Sequence, residues 1–241
     1  MANTNSLNLN SGGTSNAQYV HAADSASLSV TSDLTLECWV YLGTLASALT
    51  ANQTFINKDV NDGNISFRLF QDTSTDKVSI RISSSGTTGA GLTTGTSNTT
   101  LGTGIWIHIA AAYYAAGGSV LFYKDGLIDG TMTSTVTSVY DGTAALQIGA
   151  TGGLGAPAQY AMMLVDEVRL WAETRSAANI LANYRQELAG NETNLNAYYK
   201  LNNAYTDATA NANNLTAVNA PTFSANVPFG GGRSGLQSKI W

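Results

Sequence analysis

One stretch, residues 34–41 (LTLECWVY), limits what this chain can fold into more than any other. Its side chains alternate for a full strand, with Leu34, Leu36, Cys38 and Val40 on one face and Thr35, Glu37, Trp39 and Tyr41 on the other. The first face reads as core and the second as a surface that is itself partly covered. The pattern returns at residues 105–114 and 162–171, with polar linkers between. Only one segment reads as a convincing helix. That combination predicts a β-sandwich.

The helix lies near residues 176–189, where Ser176 can cap it, Ile180, Leu181, Tyr184 and Leu188 form an apolar stripe, and Gly190 can stop it. Elsewhere the punctuation is that of hairpins. Residues 61–63 (NDG) form a turn leading into ISFRL at 65–69, and residues 72–76 return the chain into VSIRI at 78–82. The KDG at 124–126 suits a type I′ turn. Residues 83–104 are almost wholly Ser, Thr, Gly and Asn and are expected to be partly extended at one rim. Residues 131–139 read as a further strand, and residues 195–201 as one that joins the N-terminal strand. With no composition break and no internal repeat, residues 1–229 are expected to form one domain, with residues 230–241 an appended tail.

Composition narrows the function. Hydrophobic residues make up 44% of the chain, enough for a substantial core, but only 11% are charged, against about 25% in an average soluble domain. Solubility rests on Asn, Thr, Ser and Gln. The formal net charge is -5, and the eleven basic residues are scattered singly. A nucleic-acid partner needs several on one face, so none is expected. No stretch is apolar for long enough to span a membrane as a helix, and membrane insertion is not expected. The first residues, MANTNSLNLN, lack the basic start and apolar core of a secretory signal. Cys38 stands alone on an apolar face, which excludes a disulfide framework and reads as an inert buried thiol.

Several of these runs together resemble the laminin-G-like jelly roll of the concanavalin A-like lectin and glucanase superfamily. They are YV at 19–20, LSVTSDLTLECWVY at 28–41, WIHIAAAY at 106–113, YKDG at 123–126, LQIG at 146–149 and VDEVRLWAETRSAANI at 165–180. The segment from 196 to 216 resembles that family's closing strand, so the likeness spans roughly residues 18–223. It implies two antiparallel sheets, one of them concave, with adjacent chain ends. It also implies that Trp39, His108 and Trp171 are framework.

Some relatives of this fold hydrolyse glucans, which takes two carboxyls about 5 Å apart for retention or about 6.5–9.5 Å apart for inversion. Those relatives carry Glu, Asp two residues on, and a further Glu on one strand. No such run exists here. Asp166 and Glu167 are consecutive and should face opposite ways, and Glu167 with Arg169 reads as a structural ion pair. An enzyme is not expected. Two histidines and one cysteine give no zinc set. Calcium is the one candidate cofactor, with Asp59, Asp62 and Asn64 in DVNDGN, Asp141 and Asp166 as candidate oxygen ligands, although turn chemistry alone accounts for the first three. Glycan recognition would use aromatic platforms, and Tyr113, Tyr114, Tyr123, Tyr140 and Tyr160 form the candidate set. Tyr113 and Tyr114 alternate, so at most one of them faces a groove.

Missing signal, low charge and absent active site together favour a structural surface protein of a viral particle, made in the host cytoplasm. It would be a bacteriophage capsid decoration or tail protein whose partners are identical or other structural subunits. Leu236, Ile240 and Trp241 would then be an assembly contact. The alternative is an extracellular, lectin-like adhesion module that binds surface glycans and uses calcium.

Overall fold

The computed structural model describes residues 3–9, 17–60 and 62–230. All strand pairs in it are antiparallel, and they form two sheets. Sheet I contains β1 (Ser6–Asn8), β3 (Leu34–Leu42), β8 (Trp106–Tyr114), β9 (Ser119–Lys124), β10 (Leu127–Thr133), β12 (Met163–Trp171), β13 (Leu195–Tyr199) and β15 (Thr222–Ser224). Its order is β10-β9-β8-β3-β12-β1-β15, with β13 also paired to β12. Sheet II contains β2 (Tyr19–Ala22), β4 (Gln53–Asp59), β5 (Ile65–Gln71), β6 (Lys77–Ser83), β7 (Leu92–Thr100), β11 (Leu146–Ile148) and β14 (Thr216–Val218), in the order β14-β2-β11-β4-β5-β6-β7. Two helices complete the fold, α1 (Ala46–Leu49) and α2 (Ala177–Asn183). Neither is long and apolar enough to cross a membrane.

The alternation of residues 34–41 sets the register. Leu34, Leu36, Cys38 and Val40 pair with Tyr113, Ala111, Ile109 and Ile107, and all eight lie in the core between the sheets. Sheet II answers with Val20, Phe67, Leu69, Ile80, Ile82 and Ile148. Slipping β3 by one residue would drive Glu37 into this core, so the register is firmly specified. Truncating Leu36 to Ala would cost about 2–5 kcal/mol.

The opposite face of β3 is also buried. Ala110 and Ala112 of β8, with Tyr123 of β9, receive Ile180 of α2, and Trp171 packs with Leu188, Leu195 and Tyr198. Ser176 caps α2 by accepting the Asn179 N–H at 3.2 Å. The helix stops at Asn183, earlier than the stripe predicts, and Leu181 is 51% exposed. Its last carbonyls are taken by side chains of the sheet beneath: Arg169 donates to Asn183 O (3.1 Å) and Gln186 O (2.6 Å), and Trp39 Nε1 donates to Tyr184 O (2.6 Å). Those bonds satisfy the helix end and turn the chain across sheet I.

Other local expectations meet mixed outcomes. The 124–126 turn has φ of 50° at Asp125 and 79° at Gly126, as type I′ requires. The polar run after residue 83 yields β7, at the end of sheet II. No strand covers residues 134–139, because β10 leaves its ladder with β9 at Thr133. The strand at 195–199 pairs with β12, not with the N-terminal strand; β1 takes the other half of that same β12 edge and pairs with β15.

Candidate functional site

Both outer faces of the sandwich carry buried charge, and the two arrangements differ. On sheet I the charges lie under α2 and the segment that follows it. Glu37 Oε1 accepts Trp171 Nε1 at 2.8 Å, Glu37 Oε2 meets His108 Nε2 at 3.1 Å, and Arg169 lies 3.5 Å from the same carboxylate. Arg169 also bonds Glu167 at 2.6 Å, and Tyr198 donates its hydroxyl to that carboxylate at 2.5 Å. Trp39 lies flat against Tyr184, their ring centroids 5.8 Å apart. Burial by itself pushes the Glu37 carboxyl up, but Arg169, His108 and Trp171 outweigh it and hold it down at about 2. Glu167 goes the other way: burial raises it more than Arg169 and Tyr198 lower it, and its Oε1 has no partner.

A bulge explains a failed expectation here. The register between β12 and β3 jumps from Asp166↔Trp39 to Arg169↔Glu37, so β12 carries one extra residue, and Glu167 sits at φ 52°. Both Asp166 and Glu167 therefore turn outward, although they are consecutive. Asp166 is fully buried, accepts from Asn3 Nδ2 at 2.8 Å, and is pushed well above the usual carboxylate range by burial first and by Glu167 second.

On sheet II the outward phase of the β5–β6 hairpin places Arg68 directly opposite Arg81. Like charges so paired repel, and one carboxylate stands between them: Asp59 Oδ2 is 3.3 Å from Arg81 and 3.9 Å from Arg68. Arg68 rests over the Phe70 ring at 4.6 Å and donates to Gln159 Oε1 at 2.6 Å. The loop that brings Gln159 is tied down by paired bonds between Thr151 and Ala158 (2.7 and 3.0 Å), by Thr151 Oγ1 to Asp59 O (2.9 Å) and by Thr54 N to Gln159 O (3.2 Å). These groups line an open cleft of about 290 Å³, together with Asp62 and Thr88 at its rim. The Nε of Arg68 and Arg81 and the Oδ2 of Asp59 are buried and have no hydrogen-bond partner among the described residues. Burial raises Asp59 more than the two arginines lower it, and burial likewise works against the charge of Arg68. Beyond Gln159 lies a more apolar hollow of about 170 Å³, lined by Leu9, Leu49, Tyr160 and Met162 among others.

The structure scatters the candidates drawn from the sequence. Of the tyrosines taken as exposed, Tyr113 is a core residue whose hydroxyl donates to Val136 O, and Tyr123 is buried beneath α2. Tyr114 is 46% exposed at the end of β8, and Tyr140 packs at Gly86. Tyr160 alone adjoins the cleft, through the hollow it shares with Gln159. Of the candidate calcium ligands, Asp59 is held by the arginines and Asp62 accepts from the backbone and hydroxyl of Thr88. Asn64 donates to Thr143, Asp141 is exposed, and Asp166 is on the other sheet. Among the described residues no three Asp, Glu, His or Cys side chains gather as a metal set. Leu236, Ile240 and Trp241 lie outside the described residues.

Arg68, Arg81 and Gln159 went unnoticed in the sequence. Two of them were findable: ISFRL and VSIRI each place an arginine on the polar phase, and the predicted hairpin brings the two phases side by side.

A family model described as the concanavalin A-like lectin/glucanases superfamily matches residues 13–181. Among curated proteins, no sequence matches. Among solved structures, a protein from Bacteroides ovatus described as carbohydrate-binding aligns with TM-score 0.67 and 17% identity over 93% of this chain and 60% of its own. This chain therefore spans about three fifths of that relative's length. The heptameric SAP-like pentraxin of Limulus polyphemus aligns with TM-score 0.57 and 11% identity, covering 74% of this chain and 81% of its own. The carbohydrate-binding module of a Ruminococcus gnavus sialidase, bound to sialyllactose, aligns with TM-score 0.53 and 11% identity, covering 76% and 94%. At these identities the likeness is one of fold.

Proposed function

The chain belongs to the concanavalin A-like lectin/glucanases superfamily, and from that premise we propose that it is a non-catalytic carbohydrate-binding module whose ligand enters the cleft over β5 and β6. The observation that carries the reading is the cleft itself: Arg68, Arg81, Asp59 and Gln159 line one open space, and two guanidinium groups there share a single carboxylate. Saccharides are recognised by a few fixed polar groups of this kind beside an apolar wall, and the neighbouring hollow with Tyr160 supplies such a wall. The Bacteroides ovatus and Ruminococcus gnavus proteins, described as carbohydrate-binding, support it.

Hydrolysis fits less well. Of the two carboxylates lining the cleft, Asp59 lies against two arginines and Asp62 is spent on Thr88. Glu37, Asp166 and Glu167 of sheet I are buried. A role in coating a viral particle draws no support from the matched structures. Glycan recognition, the alternative reading of the sequence, now leads.

A glycan array with the full chain, with and without calcium, tests this. We expect binding to a restricted set of glycans, and Arg81→Ala should abolish it while leaving the melting temperature within a few degrees. Binding that survives Arg81→Ala moves the site elsewhere. No binding under either condition overturns the function.

A further inference from the structure

Resting on that reading, we infer that the saccharide is acidic and that its carboxylate is held between Arg68 and Arg81. Two guanidinium groups share one protein carboxylate in the cleft, and that carboxylate satisfies neither of them. Asp59 Oδ2 stands 3.3 Å from Arg81 and 3.9 Å from Arg68, an ion contact without a hydrogen bond among the described residues. Among the described residues the side chain of Arg68 donates one hydrogen bond, to Gln159, and that of Arg81 makes its ion contact with Asp59. The other acid on the lining, Asp62, has one oxygen occupied by both donors of Thr88 and sits exposed at the rim.

Two guanidinium groups set side by side with one carboxylate between them leave a positive charge unbalanced. A bound carboxylate that reaches the terminal amino groups of both arginines would supply the missing charge through charge-assisted hydrogen bonds. A neutral sugar offers hydroxyls, which can accept these bonds but bring no charge to balance the second arginine. Nonspecific attraction would not favour such a ligand, because the whole chain carries a net charge of -5. Any preference for an acidic glycan must come from a local site. The space fits a terminal sugar: about 290 Å³, open to solvent, with Phe70 beneath Arg68 and the loop residues Thr151 to Gln159 forming one wall.

The test is calorimetry with the full chain and matched ligand pairs: sialyllactose against lactose, and trigalacturonate against the same trisaccharide with its carboxyls reduced to alcohols. For at least one pair we expect the acid to bind at least about tenfold more tightly than its neutral partner, as charge-assisted bonds allow. Arg81→Gln should bring the two affinities together. Its guanidinium reaches solvent, its side chain being 17% exposed, so the variant should fold, and an unchanged melting temperature checks that it does. Equal affinity within every pair overturns the inference but leaves the glycan-binding reading intact. A preference that survives Arg81→Gln overturns the placement. Failure of all four ligands overturns the inference, while the array still decides the function.

Discussion

The outer faces of the two sheets each bury arginine against carboxylate, and they resolve the problem in opposite ways. On sheet I, Arg169 bonds Glu167, Asn183 O and Gln186 O and lies 3.5 Å from Glu37. On sheet II, among the described residues, Arg68 donates to Gln159 at 2.6 Å and Arg81 makes a looser ion contact with Asp59 at 3.3 Å. The first face is closed by α2 and the chain that follows it; the second stays open. Where donors are consumed by backbone carbonyls, charge acts as a fastener. Where the face is open, charge is within reach of a ligand. A carboxylate beside an arginine is therefore not by itself a sign of either role, and what covers the pair tells them apart.

The largest effect should come from breaking the fastened face. Arg169→Met leaves Glu37 and Glu167 buried without their cation and frees the carbonyls of Asn183 and Gln186. Removing one partner of a buried ion pair costs about 3–5 kcal/mol, read as a fall in the urea midpoint at unchanged slope. Arg81→Gln, by contrast, should cost less than about 1 kcal/mol. Similar losses at both sites would erase the distinction between the two faces.

The next test is titration of Glu37. Its carboxyl is held at about 2, below its ordinary 4.5, so it stabilises the fold at any pH above the ordinary value. That contribution is lost as pH falls from 4.5 towards 2, amounting to about 3 kcal/mol in full. The stability gap between the wild-type chain and Glu37→Gln should therefore shrink steadily between pH 5 and pH 2, at roughly these limits. A gap independent of pH would mean that Glu37 is not the ionised centre of the layer.

Much of this fastening was legible in the sequence and the cleft was not, for a physical reason. Alternation in residues 34–41 fixes which side chains share a face, and the Ile180 position of α2 predicts a cover. The Asp166 and Glu167 orientation failed because a bulge adds a residue without leaving a mark in the period-two pattern. The helix ran shorter than its stripe because Trp39 and Arg169, distant in sequence, capture its last carbonyls. The cleft needs three separate segments to meet: the 59–68 turn, β6 and a loop carrying Gln159 at φ 47°. Only the arginine pairing across the hairpin is local enough to be read directly. The tyrosines misled because exposure of a ring depends on what covers the strand, and Tyr113 and Tyr123 are covered from opposite sides.

Asp166 offers a middling effect with the opposite sign. Its carboxyl is raised well above the usual range, so its ionised form is a burden at neutral pH, and that burden lifts as pH falls towards the unfolded value. Asp166→Asn should stabilise the chain by about 1 kcal/mol at pH 7 in EDTA. The partnerless Oδ1 of Asn3 is available to accept the new amide N–H once the Asn3 amide turns over. Millimolar calcium should move the melting temperature of neither protein. A rise confined to the wild-type chain would instead make Asp166 a calcium ligand and turn this part of the fastener into an ion site.

The smallest effect tests the open face from within. Asp59 competes with any acidic ligand for the two arginines, and burial raises its carboxyl despite them. Asp59→Asn should leave stability nearly unchanged and tighten binding of an acidic saccharide by a few fold, roughly the value of one screened charge contact. In the wild-type chain the same gain should appear as pH falls and Asp59 takes up a proton, for as long as the ligand's own carboxylate stays ionised. Asp62, the other acid on the lining, is bonded to Thr88, so the change is read on Asp59. Calorimetry with sialyllactose and trigalacturonate at pH 7 and pH 5 measures it. Tighter binding at pH 5 in the wild-type chain, absent from Asp59→Asn, is the expected result. The reverse pH trend would show that Asp59 assists the ligand, as a hydroxyl acceptor does, and would place a neutral sugar in the cleft.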